Sequence, residues 1–165
     1  MSLESILVPV DGSSPSLAAL DHAIVLAEDS GAALDILHVS VADDFSYGET
    51  TPLSTEARED IDAALDAAVE FAIERLGPRV ERIEIAGDPE RVIVETARAG
   101  GYDLIVIGTH GRIGRLHQLL GSVAEGVVRN APCPVLSVRE AGGGYQSFAE
   151  ARHGRPSLGD QALPR

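Results

Sequence analysis

Lysine is missing from this chain of 165 residues: all 13 basic residues are arginine, set against 26 carboxylates for a formal charge of −13. A phosphate loop built on an invariant lysine is therefore excluded, as is Schiff-base chemistry on a lysine amine. The acidic balance argues against a nucleic-acid or anionic-membrane partner, because such binding rests on clustered Lys and Arg. A surface poor in lysine and rich in Asp and Glu suits a high-salt cytoplasm, and a GC-rich genome produces the same bias. Cysteine is nearly absent too. Cys133 stands alone, which excludes a disulfide framework and a cysteine metal cluster. Flanked by Pro132 and Pro134 ahead of a strand, it reads as a small buried apolar residue rather than a reactive thiol. No apolar run approaches transmembrane length, and the first residues lack the successive basic, apolar and small-residue regions of a secretory leader. The expectation is a soluble, cytoplasmic protein, and the length suits one domain with a sizeable core.

What is present is an alternation of short apolar runs and amphipathic stretches. Ser5-Ile6-Leu7-Val8-Pro9-Val10 reads as a first strand, with Asp11-Gly12-Ser13-Ser14 as the turn at its C-terminal end. Ser14 is placed to cap a helix with Pro15 at its first position, an apolar stripe at Leu17, Leu20, Ile24 and Ala27, and Gly31 as its stop. A second strand follows over 34–39. Ser40 to Leu53 has no period and reads as a long loop, either a lid or a plain linker. Ile61, Leu65, Ala68, Ala72 and Leu76 make one stripe of a helix over 55–76, closed by Gly77-Pro78. The mixed charged and apolar run 80–85 fits an edge strand. Asp88-Pro89 opens a helix through Ala99, residues 103–107 form a fourth strand, a helix is predicted over 123–129, and 134–138 is a fifth strand. Alternating strands and helices imply right-handed crossovers and a parallel sheet covered on both faces, an α/β fold. From residue 140 the chain turns polar and glycine-rich and reads as a flexible tail over 140–165.

The chemistry concentrates in Gly108-Thr109-His110-Gly111-Arg112-Ile113-Gly114-Arg115-Leu116-His117-Gln118-Leu119-Leu120-Gly121-Ser122-Val123. It leaves the fourth strand and ends where a helix begins. Gly108 and Gly111 allow a sharp turn and close approach to a ligand. Ser122 as N-cap, with Glu125 three residues on, makes a capping box, and the amides after Gly121 favour an anion. His110 can serve as a general acid or base, or contribute only its amide. Arg112 and Arg115 can screen phosphate charge or point to solvent. Asp11, at the end of the first strand, can accept a ribose hydroxyl, help to hold a metal, or simply cap its own turn. His38, within an apolar strand, reads as a satisfied core histidine rather than a ligand.

Gly108, two residues, Gly111, nine residues and Gly121-Ser122, together with Val8-Pro9-Val10-Asp11-Gly12-Ser13, resemble the ATP-binding signature of the universal stress protein family over roughly residues 3 to 139. The resemblance implies a single-domain open five-stranded parallel sheet of order 3-2-1-4-5, a Rossmann-like fold, with helices on both faces. It implies an adenosine end at Pro9, Val10, Asp11 and Val39, and a phosphate end at Gly108, His110, Gly111, Gly121, Ser122 and Val123. The cofactors it implies are ATP with Mg²⁺ or Mn²⁺, the metal ligands being unassigned. It also implies a homodimer formed through the fifth strand, a nucleotide-dependent role in the stress response and at most slow hydrolysis. Two alternatives stay open. One is an ATP-splitting or adenylate-forming enzyme on a related fold, although Asp-Gly-Ser-Ser stands where such enzymes carry their loop. The other is a dimeric scaffold that binds no nucleotide.

Overall fold

The computed structural model describes residues 2–41, 55–109 and 120–139, and of residues 55–58 and 60 the backbone alone. The elements run β1 (Ser5–Pro9), α1 (Ser14–Ser30), β2 (Ala33–Ser40), α2 (Thr55–Leu76), a single 3-10 turn (Gly77–Arg79), β3 (Val80–Ala86), α3 (Pro89–Gly100), β4 (Leu104–Gly108), α4 (Ser122–Asn130) and β5 (Val135–Val138). The five strands form one parallel sheet in the order β3-β2-β1-β4-β5, as the family resemblance implied.

β1 lies in the middle, and its composition shows why. Ile6, Leu7 and Val8 are completely buried, which requires cover on both faces. Ile6 and Val8 pack with Leu20 and Ile24 of α1 and Leu65 of α2, whereas Leu7 packs with Ile93 and Ala97 of α3 and Val127 of α4. Alternate residues of one strand thus assign two helices to each face. Among the described residues, no further strand pairs with either sheet edge. On β3 the exposed Glu81, Arg82 and Glu84 discourage pairing with another chain, and Arg82 is drawn back to Asp66 of α2. β5 is more apolar, with Leu136 38% exposed.

Polar ties hold the N-terminal side of the sheet. Asp103 Oδ2 accepts from the amides of Glu4 (2.9 Å) and Ser5 (3.0 Å), binding the start of β1 to the start of β4, and these backbone bonds hold its carboxyl below the usual range. The Tyr102 hydroxyl donates to Asp35, and burial with that bond pushes the phenol upward. Cys133 is half-buried; burial, then the nearby Asp103 charge, raises its thiol and keeps it from the reactive thiolate form. Asp88 caps α3, its side chain accepting from Arg91 N at 2.9 Å. Among the described residues no helix is long and apolar enough to cross a membrane.

Two expected caps sit one residue earlier in the structure. α1 is capped at Ser13, with Ser14 its first residue and Pro15 its second. The cause is Asp11: its Oδ1 accepts from Ser13 N (3.0 Å) and Ser13 Oγ (2.5 Å), so the turn closes on Ser13 and the helix can begin at once. α4 is capped at Gly121, not Ser122.

Candidate functional site

β1 pairs with β2 over five residues, from Ser5↔Ala33 to Pro9↔Leu37, but with β4 only at Ile6↔Leu104 and Leu7↔Ile105. The chain leaves β1 toward β2 and leaves β4 toward β5, so β1 and β4 flank the switch point, the place where open sheets of this kind form a ligand crevice at the C-terminal ends of their strands. What parts the strands is visible at Gly108. A Cβ built there would stand 2.7 Å from the carbonyl carbon and oxygen of Pro15 and 2.9 Å from Ser16 N. The first turn of α1 occupies the space that a side chain would need. The glycine expected to admit a ligand also admits the backbone of α1, which packs the first turn of that helix against the end of β4.

The turn after β1 is held from several sides. Val10 is buried, Gly12 adopts a left-handed φ of 78°, and Ile61 of α2 closes over it, with Cγ2 3.0 Å from the place of a Cβ. Ser16, buried, donates from Oγ to Ser13 O (2.9 Å) and accepts from Asp11 N (3.3 Å). Asp11 does cap its turn, as one of the readings of the sequence had it. The carboxylate is held at the crevice by that same cap.

On the β4 side, buried Thr109 donates from N to Val138 O (2.8 Å) and accepts at O from Gly121 N (2.6 Å). The second bond ties the start of α4 to the end of β4, so Thr109 and Gly121 lie side by side although eleven positions separate them in sequence. Gly121 has extended backbone angles (φ −71°, ψ 157°), and its carbonyl accepts from Glu125 N at 2.9 Å. No side chain among the described residues caps α4. The expected capping box is not made: Ser122 is already helical and exposed, and Glu125 takes Arg129 at 2.7 Å instead. Among the described residues, the amides of Ser122, Val123 and Ala124 consequently have neither an intrahelical acceptor nor a side-chain cap, at the positive end of the helix.

Val39, half-buried near the end of β2, lies on the far side of β1 and packs against Leu7 and Leu37 with the second core cluster. His38 is satisfied, as expected, and its partner is Val10 O at 2.9 Å from Nδ1. The structure thus gathers Pro9, Val10, Asp11, Val39, Gly108, Gly121, Ser122 and Val123 along the C-terminal edge of the sheet. His110, Gly111, Arg112, Gly114 and Arg115 lie outside the described residues, as do 42–53 of the expected loop or lid and the tail 140–165. Thr109, Ser16 and Ile61 were not expected at the site. Thr109 works through its backbone and Ile61 through a contact distant in sequence, neither of which leaves a local signal. Ser16, three residues beyond Ser13, fits the local hydroxyl-to-carbonyl pattern and was legible. Among the described residues no three His, Cys, Asp or Glu side chains converge to hold a metal.

Known proteins share this fold. The family model of the universal stress protein family matches residues 3–139. A universal stress protein of Methanocaldococcus jannaschii is 37% identical over 141 residues, which span 83% of this chain and 82% of that protein. Among solved structures, the universal stress protein UspA of Lactobacillus plantarum is 30% identical with a TM-score of 0.69, covering 84% of this chain and 99% of its own. A universal stress protein in complex with cAMP is 29% identical with a TM-score of 0.63, covering 84% of this chain and 98% of its own.

Proposed function

The chain belongs to the universal stress protein family, and on that premise we propose that its crevice binds ATP, with Mg²⁺ or Mn²⁺, and that the protein is a cytoplasmic, nucleotide-dependent stress-response regulator acting as a homodimer. The observation that carries the reading is the start of α4. Among the described residues its first amides have no side-chain cap, and Gly121 fastens them to Thr109 at the end of β4, across the switch point from the turn of β1. Such a helix end attracts phosphate. The family member solved with cAMP, similar over 84% of this chain, supports an adenine nucleotide as the ligand.

In this reading Pro9, Val10, Asp11 and Val39 hold the adenosine, with Asp11 accepting a ribose hydroxyl. Gly108, His110, Gly111, Gly121, Ser122 and Val123 surround the phosphates. A divalent ion neutralises phosphate charge when bound; the residues present suit one that arrives on the nucleotide, with Asp11 the carboxylate at this edge. The uncapped amides fit the phosphates without any further cation.

Turnover is slow in this reading. Fast hydrolysis needs an oriented water, a base of suitable pKa and a fixed cation at the γ-phosphate. There is no lysine to supply that cation, Asp11 is committed to Ser13, and Glu125 to Arg129. The exposed Leu136 of β5 and Val128 of α4 support β5 as the dimer edge, since an open apolar strand calls for cover. Mass spectrometry of protein purified without added nucleotide, with thermal melts in ATP-Mg²⁺, tests the reading. Ligand at 100 times its Kd stabilises the fold by about 2.7 kcal/mol. The reading is overturned if no adenine nucleotide co-purifies and saturating ATP leaves the Tm unchanged in both low and molar salt.

A further inference from the structure

The ladder between β1 and β2 stops one bond short of where its geometry would carry it. After Pro9↔Leu37, Val10 N donates to Leu37 O at 2.8 Å. In a parallel pair, alternate residues turn their backbone groups to the same neighbour. Ala33 N donates to Glu4 O on the β1 side, and Leu37 O accepts there. By the same phase Val39 turns its N–H and C=O toward β1, while Ser40 faces β3 and its carbonyl accepts from Gly87 N at 3.0 Å. The next bond of the ladder would join Val39 N to Val10 O. It is not made. Val10 O accepts instead from His38 Nδ1, at 2.9 Å. A carbonyl can only accept, so this ring nitrogen carries the proton.

We propose that His38 is a positioning residue for base recognition: by taking the Val10 carbonyl it ends the β1–β2 ladder, and leaves the N–H and C=O of Val39 turned toward the end of β1 with no ladder partner there, to read the edge of an adenine. The inference rests on the nucleotide-binding reading above. Without the ring, Val10 O regains Val39 N as its partner and the crevice loses a donor. The chemistry discriminates between purines. Adenine offers an acceptor at N7 beside a donor at N6, the complement of one backbone N–H and C=O, whereas guanine offers two acceptors on that edge. Phosphates and ribose are common to both nucleotides.

Calorimetric titration of the full chain with ATP and with GTP tests this on His38→Leu and His38→Asn. Asn can place its amide nitrogen near the position of Nδ1 and keep the bond. The expected result is a loss of about tenfold in ATP affinity for His38→Leu, the worth of one hydrogen bond, with GTP affinity unchanged and ATP affinity recovered in His38→Asn. A merely structural histidine would lower both nucleotides together. An unchanged ratio of ATP to GTP affinity in His38→Leu overturns the proposal while leaving nucleotide binding intact. A wild-type protein that binds no ATP sinks both. Should His38→Leu fail to fold, amide hydrogen exchange on the wild type decides: Val39 must exchange quickly without nucleotide and become protected with ATP, Leu37 being protected throughout. A Val39 amide already protected without nucleotide refutes the role of His38.

Discussion

Replacing Gly108 by alanine should cost the fold more than any other single methyl group added at this edge of the sheet. The backbone at Gly108 lies outside the left-handed region, so alanine can adopt its conformation and the cost is purely one of space. The new Cβ would stand 2.7 Å from both the carbonyl carbon and oxygen of Pro15 and 2.9 Å from Ser16 N, distances at which the main chain of α1 must move. That chain has little room to yield. Pro15 fixes its own φ, Ser16 is tied to Ser13 and Asp11, and α1 is packed along the sheet through Ala19, Ala23 and Ile24, all buried. Overpacking of this kind costs about 1–3 kcal/mol. For a chain of this size each kcal/mol moves the Tm by about 2–4 °C, so a fall of roughly 2–12 °C is expected.

Gly126→Ala is the control. Its Cβ would meet the carboxylate of Glu90, at 2.1 Å from Cδ, which is the free end of a flexible side chain. Glu90 can swing away, losing its bond from Asn130 Nδ2 (3.0 Å), while alanine in mid-helix returns up to about 1 kcal/mol over glycine. Urea and thermal unfolding of both variants provide the comparison. A Gly108→Ala protein as stable as the wild type, or one no worse than Gly126→Ala, would refute the claim that α1 fills the place of a side chain at residue 108.

Three further outcomes are expected. Gly121→Val should fold normally, because φ −71° and ψ 157° suit valine, yet bind ATP at least about tenfold more weakly by crowding the amides of α4; equal affinity in titration would place the phosphates elsewhere. The Asp103 carboxyl is depressed in the folded state by the Glu4 and Ser5 amides, so its contribution to stability is present above the unfolded pKa of about 4 and is lost as the pH falls through the lower folded value. Urea melts from pH 7 to pH 3 should find wild type more stable than Asp103→Asn at neutral pH, with the gap narrowing on acidification, and a gap independent of pH would contradict the assignment. Truncation after Ala141 should leave both the Tm and the sizing-column volume unchanged, since 142–165 has no apolar period with which to join a core; a loss of several degrees or a shift to monomer would give the tail a structural role.

Much of the architecture was decided within short stretches of sequence. Ile6-Leu7-Val8 could only be a strand covered on both sides, and Gly31 and Gly101 end their helices in the left-handed conformation that a non-glycine residue avoids. The glycines and Ser122 were enough to locate the candidate site, because backbone amides at a strand-to-helix junction have a spacing that can be read along the chain. The order of the strands was not legible from residues and came from the family resemblance. Nor was the reason for Gly108, whose neighbours, Pro15 and Ser16, lie on a helix some ninety positions earlier. The two cap positions moved because Asp11 holds Ser13, and because Gly121 is drawn to Thr109 across residues 110–120. His38 shows the division most clearly. Apolar neighbours marked it as a histidine of the core, but its partner is a carbonyl 28 positions away, at the end of a different strand. Periodicity and propensity act between near neighbours, so they determine elements; contacts between distant segments depend on how the sheet is assembled, and that decides which backbone groups are paired and which face the crevice.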